Sequence, residues 1–466
     1  MTRFDLIIRG GEIGTASDRF RADIGVRGGR IVALGEDLPR GEAEIDARGR
    51  LVLPGGVDAH CHFDQPMNDG SEMADDFESG TLSALCGGTT TVIPFACQMK
   101  GGSLRAAVED YHRRADGNAY IDYAFHLIVA DPTAGVLGQE LPALIADGYT
   151  SFKIYMTYDD LKLSDHQVLD VLALARRERA MTMIHAENSD VIAWLTTQLE
   201  LAGKTAPKFH AEAHASIAER EATYRAISLA ELIDVPVLIV HVSGRDAVAQ
   251  IAQAQARGLR IMAETCPQYL FLTADDLDLP GHEGAMCVCS PPPRDKANQD
   301  AIWAGLANGT FSVFSSDHAP FRMNDPKGKF VCGPGAPFAK IPNGIPGVET
   351  RLALLLSEGV MKGRLTLQQF VALTATNPAR ICGLAGRKGS IAIGADADLV
   401  LWQTDRPRRI TNGMLHHRVD YTPYEGIEVT TWPDTVLSRG EVVLAAGEPV
   451  AAKGRGAYLR CDRPLP

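Results

Sequence analysis

Two rhythms of apolar residues alternate along this chain. Short, near-continuous apolar runs such as "VPVLIVHV" are separated by stretches whose apolar positions recur every three or four residues, such as "SDHQVLDVLALARRERA" and "GRDAVAQIAQAQARG". The first rhythm belongs to strands covered on both faces, the second to amphipathic helices. Ser164 is placed to cap the first of these helices and Gly258 to end the second. Eight core strands are predicted, over 57–62, 90–95, 121–129, 150–156, 180–185, 236–242, 260–266 and 311–317. Eight β/α units point to a TIM (β/α)8 barrel, with a doubly wound open sheet as the alternative. The barrel is favoured because polar residues fall at strand C-terminal ends all round the set.

Both termini read differently. Residues 1–53 and the segment from 390 on, with "FDLIIRGGEI" and "GSIAIGADADLVLW", are short strands punctuated by glycine. The expected organisation is a TIM-barrel catalytic domain over 54–389 and a small β-sandwich domain formed by 1–53 and 390–466. Segments 267–310 and 318–346 are long and rich in Pro and Gly. Loops at that end of a barrel shape the substrate site. A C-terminal arm, "AAKGRGAYLRC", could reach a neighbouring subunit.

Composition narrows the class. At 466 residues the chain exceeds a barrel of about 250 to 350 residues, which leaves room for the smaller domain. A net charge of −12 argues against nucleic acid or an anionic membrane surface as partner. No apolar run approaches the length of about 20 residues that spans a membrane. The opening "MTRFDLIIRGGEIG" is broken by charges and glycines, so no signal peptide is expected. Nine scattered cysteines without a CxxC pair fit reduced thiols in a cytoplasmic protein.

The strand ends carry the candidate chemistry. "DAHCH" closes the first strand, with His60 and His62 on one face. Two histidines so spaced can hold a metal ion, or they can be ordinary satisfied polar groups. Four more polar residues join them: Lys153 in the fourth strand, His185 ending the fifth, His241 the sixth and Asp317 the eighth. Nitrogen and oxygen donors suit Zn²⁺ or a similar ion. Six candidates exceed what one ion needs and suggest two ions sharing a bridge.

Lys153 is the odd member. In "SFKIYMTY" alternation puts Ser151, Lys153 and Tyr155 on one face, and Phe152, Ile154 and Met156 on the other. An ammonium between two dications is repelled by several kcal/mol, about 4 at 4 Å and an effective dielectric near 20. A neutral amine could instead take up carbon dioxide and present a bridging carboxylate. The plainer reading is an ion pair with Asp317 or Glu187.

These residues sit in a longer pattern. "LVLPGGVDAHCHF", "CGGTTTVIPF", "SFKIYMTY", "MIHAEN", "IVHVSG", "AETCPQYLFL", "CSPPPR", "SSDHAPF", "IPNGIPGVE" and "GADADLVLW" run in order from residue 51 to 402. The chain resembles the cyclic amidohydrolases, specifically the dihydropyrimidinase/D-hydantoinase group. The resemblance implies a TIM barrel with a β-sandwich made by both termini. It implies two zinc ions: His60, His62 and Asp317 on one, His185 and His241 on the other, with N6-carboxylated Lys153 and a hydroxide bridging them. It makes Asp317 the general base and then acid, and Tyr158 a catalytic and substrate-binding hydroxyl. Ser290 and Asn343 are the further substrate-binding residues it implies. It also implies a small cyclic amide as substrate and a homotetramer or dimer. His318 is expected to orient Asp317, and Phe63, Met67 and Phe95 to wall the pocket.

Three other readings compete. "SDHAP" is nearer the dihydroorotase pattern, but Asp64 stands where dihydroorotases place a carboxylate-binding Arg. Allantoinases carry "HCEN"-type and "DHSP"-type patterns, which fit less well. Non-catalytic scaffold relatives have lost metal ligands, and here all six candidates are present.

Overall fold

The structure, a computed structural model, describes residues 4–466. Residues 1–3 of the expected terminal domain lie outside the described residues. Eight parallel strands follow one another in order: Gly56–Cys61, Thr89–Cys97, His126–Ile128, Ser151–Tyr155, Met181–His185, Val237–Ile239, Ile261–Thr265 and Val313–Phe314. The ring closes just past the eighth strand. The Asp317 amide donates to His60 O at 2.8 Å, and the His62 amide donates to His318 O at 2.7 Å. The molecule is therefore a TIM barrel, and the open-sheet alternative falls.

Alternation along the strands builds two cores. Inward-facing Val57, Ile93, Ile128, Met183, Leu238 and Met262 fill the barrel. Outward-facing Phe152, Ile154, Ile184, Val237 and Ile261 pack with Val168, Val171 and Ile251 of the surrounding helices. Ser164 closes a capping box on the helix Asp165–Glu178, as its position predicts.

The strand boundaries depart from the sequence pattern in two ways. The predicted third strand is broken into Asp122–Tyr123 and His126–Ile128, both paired with the second. The sixth and eighth strands end earlier than the apolar runs suggest. His241 and Asp317 lie just past them at φ 38° and 48°, a conformation that strand pairing excludes.

The termini pair through Leu51–Pro54 and Leu399–Gln403, which run antiparallel with Leu53 opposite Val400. The result is one sheet of nine strands, separate from the barrel. It curls back on itself, with the Ile31 amide donating to Ala395 O at 2.9 Å around a core of Ile8, Ile24, Leu399 and Leu437. Buried Lys388 ties this sheet to the barrel by donating to Asp398 and to Asp122, each at 2.8 Å. The C-terminal arm does not stand free. It lies along its own barrel, with the Leu459 amide donating to Tyr123 O at 2.7 Å and Tyr458 packed among His112, Tyr123, Phe125 and Tyr149. No helix among the described residues is long and apolar enough to cross a membrane.

Candidate active site

The site is assembled where the strands end. His60 is the penultimate residue of the first strand, Lys153 comes from the centre of the fourth and His185 from the end of the fifth. His62, His241 and Asp317 follow their strands by one to three residues. His60 Nε2 and His62 Nε2 lie 3.2 and 3.3 Å from the same oxygen, Asp317 Oδ1. These three side chains converge as ligands of one ion do. The rings of His185 and His241 are packed edge to face at 4.4 Å, and His241 lies 5.4 Å from His60.

Three of the four histidine rings are turned by an outer partner. His60 Nδ1 bonds Glu264 Oε1 at 2.6 Å, His62 Nδ1 bonds Gln65 Oε1 at 2.7 Å, and His185 Nε2 bonds Glu187 Oε2 at 2.8 Å. One nitrogen is held from behind, which leaves the other facing the site; this is how metal-binding histidines are oriented. His241 has both ring nitrogens buried and unpaired, while its amide donates to Glu264 Oε1 at 3.1 Å. An orphaned imidazole in a dry site is costly unless something else binds it. The donor set thus fits a divalent metal.

Lys153 is 1% exposed and lies in the middle of this group. Its Nζ donates to His60 Nε2 at 2.8 Å and rests over the rings of Phe95 and Tyr155, 4.7 and 4.8 Å from their centroids. Among the described residues it makes no ion pair, so the plainer reading, a salt bridge to Asp317 or Glu187, does not hold. Burial pulls its ammonium below the usual lysine range, against the opposing charges of Asp317 and Glu264. Burial equally pushes Glu264 up towards its neutral form. At Asp317 burial acts upward but loses to His60, His62 and Lys153, and the carboxyl falls to about 2.

A cleft of about 590 Å³ opens above these residues. Tyr158, Ser290 and Asn343 line it together with Asp317, Lys153 and His185, so all the sequence-predicted site residues come together. Tyr158 turns into the cleft at φ 65°, with its ring against His185 at 5.4 Å. Burial, reinforced by the charge of Glu187, raises its hydroxyl far above the usual tyrosine value. Asn343 Oδ1 is buried without a partner among the described residues. Ser290 Oγ is engaged, donating to Glu187 Oε2 at 2.7 Å.

Other expectations need correction. Met67 does line the cleft. Phe63 is turned away, packed on Phe77 and His318, and Phe95 lies beneath the site, stacked on His62 at 5.0 Å. The ring of His318 points away from Asp317. Its Nε2 meets Asp75 Oδ2 at 3.1 Å and its Nδ1 accepts from the Gly347 amide at 3.1 Å. It acts on the site through its carbonyl, which holds His62. Asp64 pairs with Arg114 at 2.9 Å instead of facing the cleft, so it repels no substrate. What remains of that argument is the lack of an arginine among the cleft-lining residues. Ala319 lines the cleft and packs closely on Gly344.

Sequence reasoning missed Glu264 and Gln65, and saw Glu187 only as a partner for Lys153. Glu264 had a signal: an acid on the inward face of the apolar strand "IMAET". Gln65 is a loop residue with none.

Comparison with known proteins shows the family. A family model described as "Amidohydrolase family" matches residues 51–443, and the chain belongs to that family. It is 45% identical over 457 residues to a D-hydantoinase of Geobacillus stearothermophilus, covering 97% of this chain and 96% of that one. It is 41% identical over 459 residues to a D-hydantoinase of Ralstonia pickettii, covering 98% of each. The crystal structure of dihydropyrimidinase from Brevibacillus agri superposes with a TM-score of 0.96 at 42% identity, covering 99% of each chain.

Proposed function

We propose that this protein hydrolyses the cyclic amide bond of 5-substituted hydantoins and of dihydropyrimidines such as dihydrouracil and dihydrothymine, giving N-carbamoyl amino acids. The observation that carries the reading is the convergence of His60, His62, Lys153, His185, His241 and Asp317 beside a cleft lined by Tyr158, Ser290 and Asn343. In this reading His60, His62 and Asp317 would hold one Zn²⁺ and His185 and His241 a second. N6-carboxylated Lys153 would serve both sites, and the bound ions would supply a hydroxide. When bound, the ions supply a nucleophile at neutral pH and polarise the ring carbonyl. For the carbamate to form, the Lys153 ammonium would first release one proton to solvent; the neutral Nζ lone pair would then bond the carbon of carbon dioxide as one C=O π bond opens onto oxygen, and the nitrogen would release a second proton. Among the described residues Lys153 has no carboxylate partner, which favours that fate over an ion pair.

The protein's own groups do the rest. Asp317 Oδ would take the proton of the attacking water and return it to the ring nitrogen as the C–N bond breaks. Tyr158 keeps its proton and donates a hydrogen bond to the oxygen that gains charge. Asn343, with its amide oxygen free, and Ser290 bind the amide edge of the ring. The reading also places the protein in the cytoplasm as a homotetramer or dimer; sedimentation of the purified chain tests the latter.

Zinc- and bicarbonate-supplemented protein should open dihydrouracil, hydantoin or phenylhydantoin, and Lys153→Ala should abolish this. Carbon-13 bicarbonate should give a carbamate resonance that the variant lacks; a bare, protonated lysine would sink the bridge. Dihydroorotase activity is the second reading, favoured by "SDHAP" and by Ala319 in the cleft. Turnover of dihydroorotate alone would establish it, and turnover of allantoin alone would point to an allantoinase. No turnover of any ring by metal-loaded protein would return the scaffold reading.

A further inference from the structure

Lys329 belongs to the loop after the eighth strand and is 1% exposed. Its Nζ donates to three backbone carbonyls: Val288 O at 2.9 Å, Pro342 O at 2.8 Å and Gly344 O at 2.6 Å. Burial pulls its ammonium down to about 7, and in the charged form its three protons each find one acceptor. Among the described residues it makes no ion pair, and an apolar side chain would fill the same space without the cost of desolvating a charge. What the charge adds is a three-way tie between two separate segments of chain.

Those segments are the ones that face the substrate. Val288 stands two residues before Ser290, and Pro342 and Gly344 flank Asn343. The segments also bond each other directly, the Gly344 amide donating to Val288 O at 3.0 Å. With the carbonyls on both sides of Asn343 turned towards Lys329, the orientation of the intervening residue is fixed. The unpaired Asn343 Oδ1 is then held in the cleft.

We propose that Lys329 is a positioning residue for ring recognition: by clamping 288–290 to 342–344 it sets Ser290 and Asn343 at the spacing the ring's amide edge requires. The inference rests on the reading that those two residues bind the ring. Small displacements of binding groups are expensive in such sites, a shift of about 1 Å costing up to about 100-fold.

The experiment compares wild type, Lys329→Met, Asn343→Ala and the double variant as zinc-loaded enzymes on the cyclic substrate the wild type opens fastest. Lys329→Met should raise KM about tenfold with zinc content unchanged and a smaller fall in kcat. Its effect should shrink when Asn343 is already alanine, because both act on one contact. Lys329→Gln, which keeps two donors, should fall between wild type and Met, and it carries the test if the Met variant does not fold. An unchanged KM in a folded variant, or effects that multiply independently, would reduce Lys329 to a structural role and overturn the proposal. A wild type that opens no ring would instead overturn the functional reading, and this inference with it.

Discussion

Glu264 touches no substrate in the proposed reaction, yet one of its oxygens serves two histidines at once. Oε1 meets His60 Nδ1 and the His241 amide. Through it the first, sixth and seventh strands agree on where two imidazoles point. Glu264→Leu, of similar volume, should leave both groups unpaired and lower zinc affinity about 10- to 100-fold. Glu264→Gln keeps an acceptor and should retain most of that affinity. Chelator competition measures both, and unchanged affinity in the Leu variant would show that His60 is oriented by packing alone. The same logic explains the strained residues. His241, Asp317 and Tyr158 all adopt positive φ, and such conformations concentrate where surrounding structure holds a functional group in place.

Between elements, the junction of barrel and terminal sheet rests on Lys388. Its buried ammonium meets Asp122, beside the barrel's second strand, and Asp396 and Asp398, which lead into the sheet. Opposing carboxylates raise its pKa against the pull of burial, so the charged form is the stable one. Lys388→Met would leave these carboxylates short of a partner in a dry interface, at a cost of about 3 kcal/mol or more. Urea denaturation of the variant should show it as a lower midpoint. A midpoint equal to wild type would mean that Arg439 and Arg387, which also reach these acids, carry the junction.

At the scale of the whole molecule, the chain's end completes the barrel's outer packing. Leu459 is fully buried, and Tyr458 joins a cluster with Tyr123, Phe125 and Tyr149. Deleting 455–466 should therefore destabilise the protein by about 3 kcal/mol or more, seen as a lower melting temperature. An unchanged melting temperature would mean that the cluster closes without the tail. The arm illustrates the limit of pattern reading: a polar, glycine-containing terminus looks detachable until the surface it covers is known. Continuous apolar runs alternating with period-3.6 stretches, by contrast, marked the eight β/α units, because burial on both faces forces such runs; closure of the ring was decided by the contacts of Asp317 and His62 with the first and last strands. They also made Lys153 and the strand-end histidines stand out, since a charged or titratable group within such a run has few reasons to be there. What depended on tertiary structure was direction. Whether the His318 ring faces Asp317 or Asp75, whether Asp64 meets a substrate or Arg114, and whether Lys329 is a surface lysine or a clamp each depend on contacts between distant segments. A residue's own sequence neighbourhood sets its secondary structure and its chemistry, but the side chain turns towards whatever the rest of the fold brings within hydrogen-bonding reach.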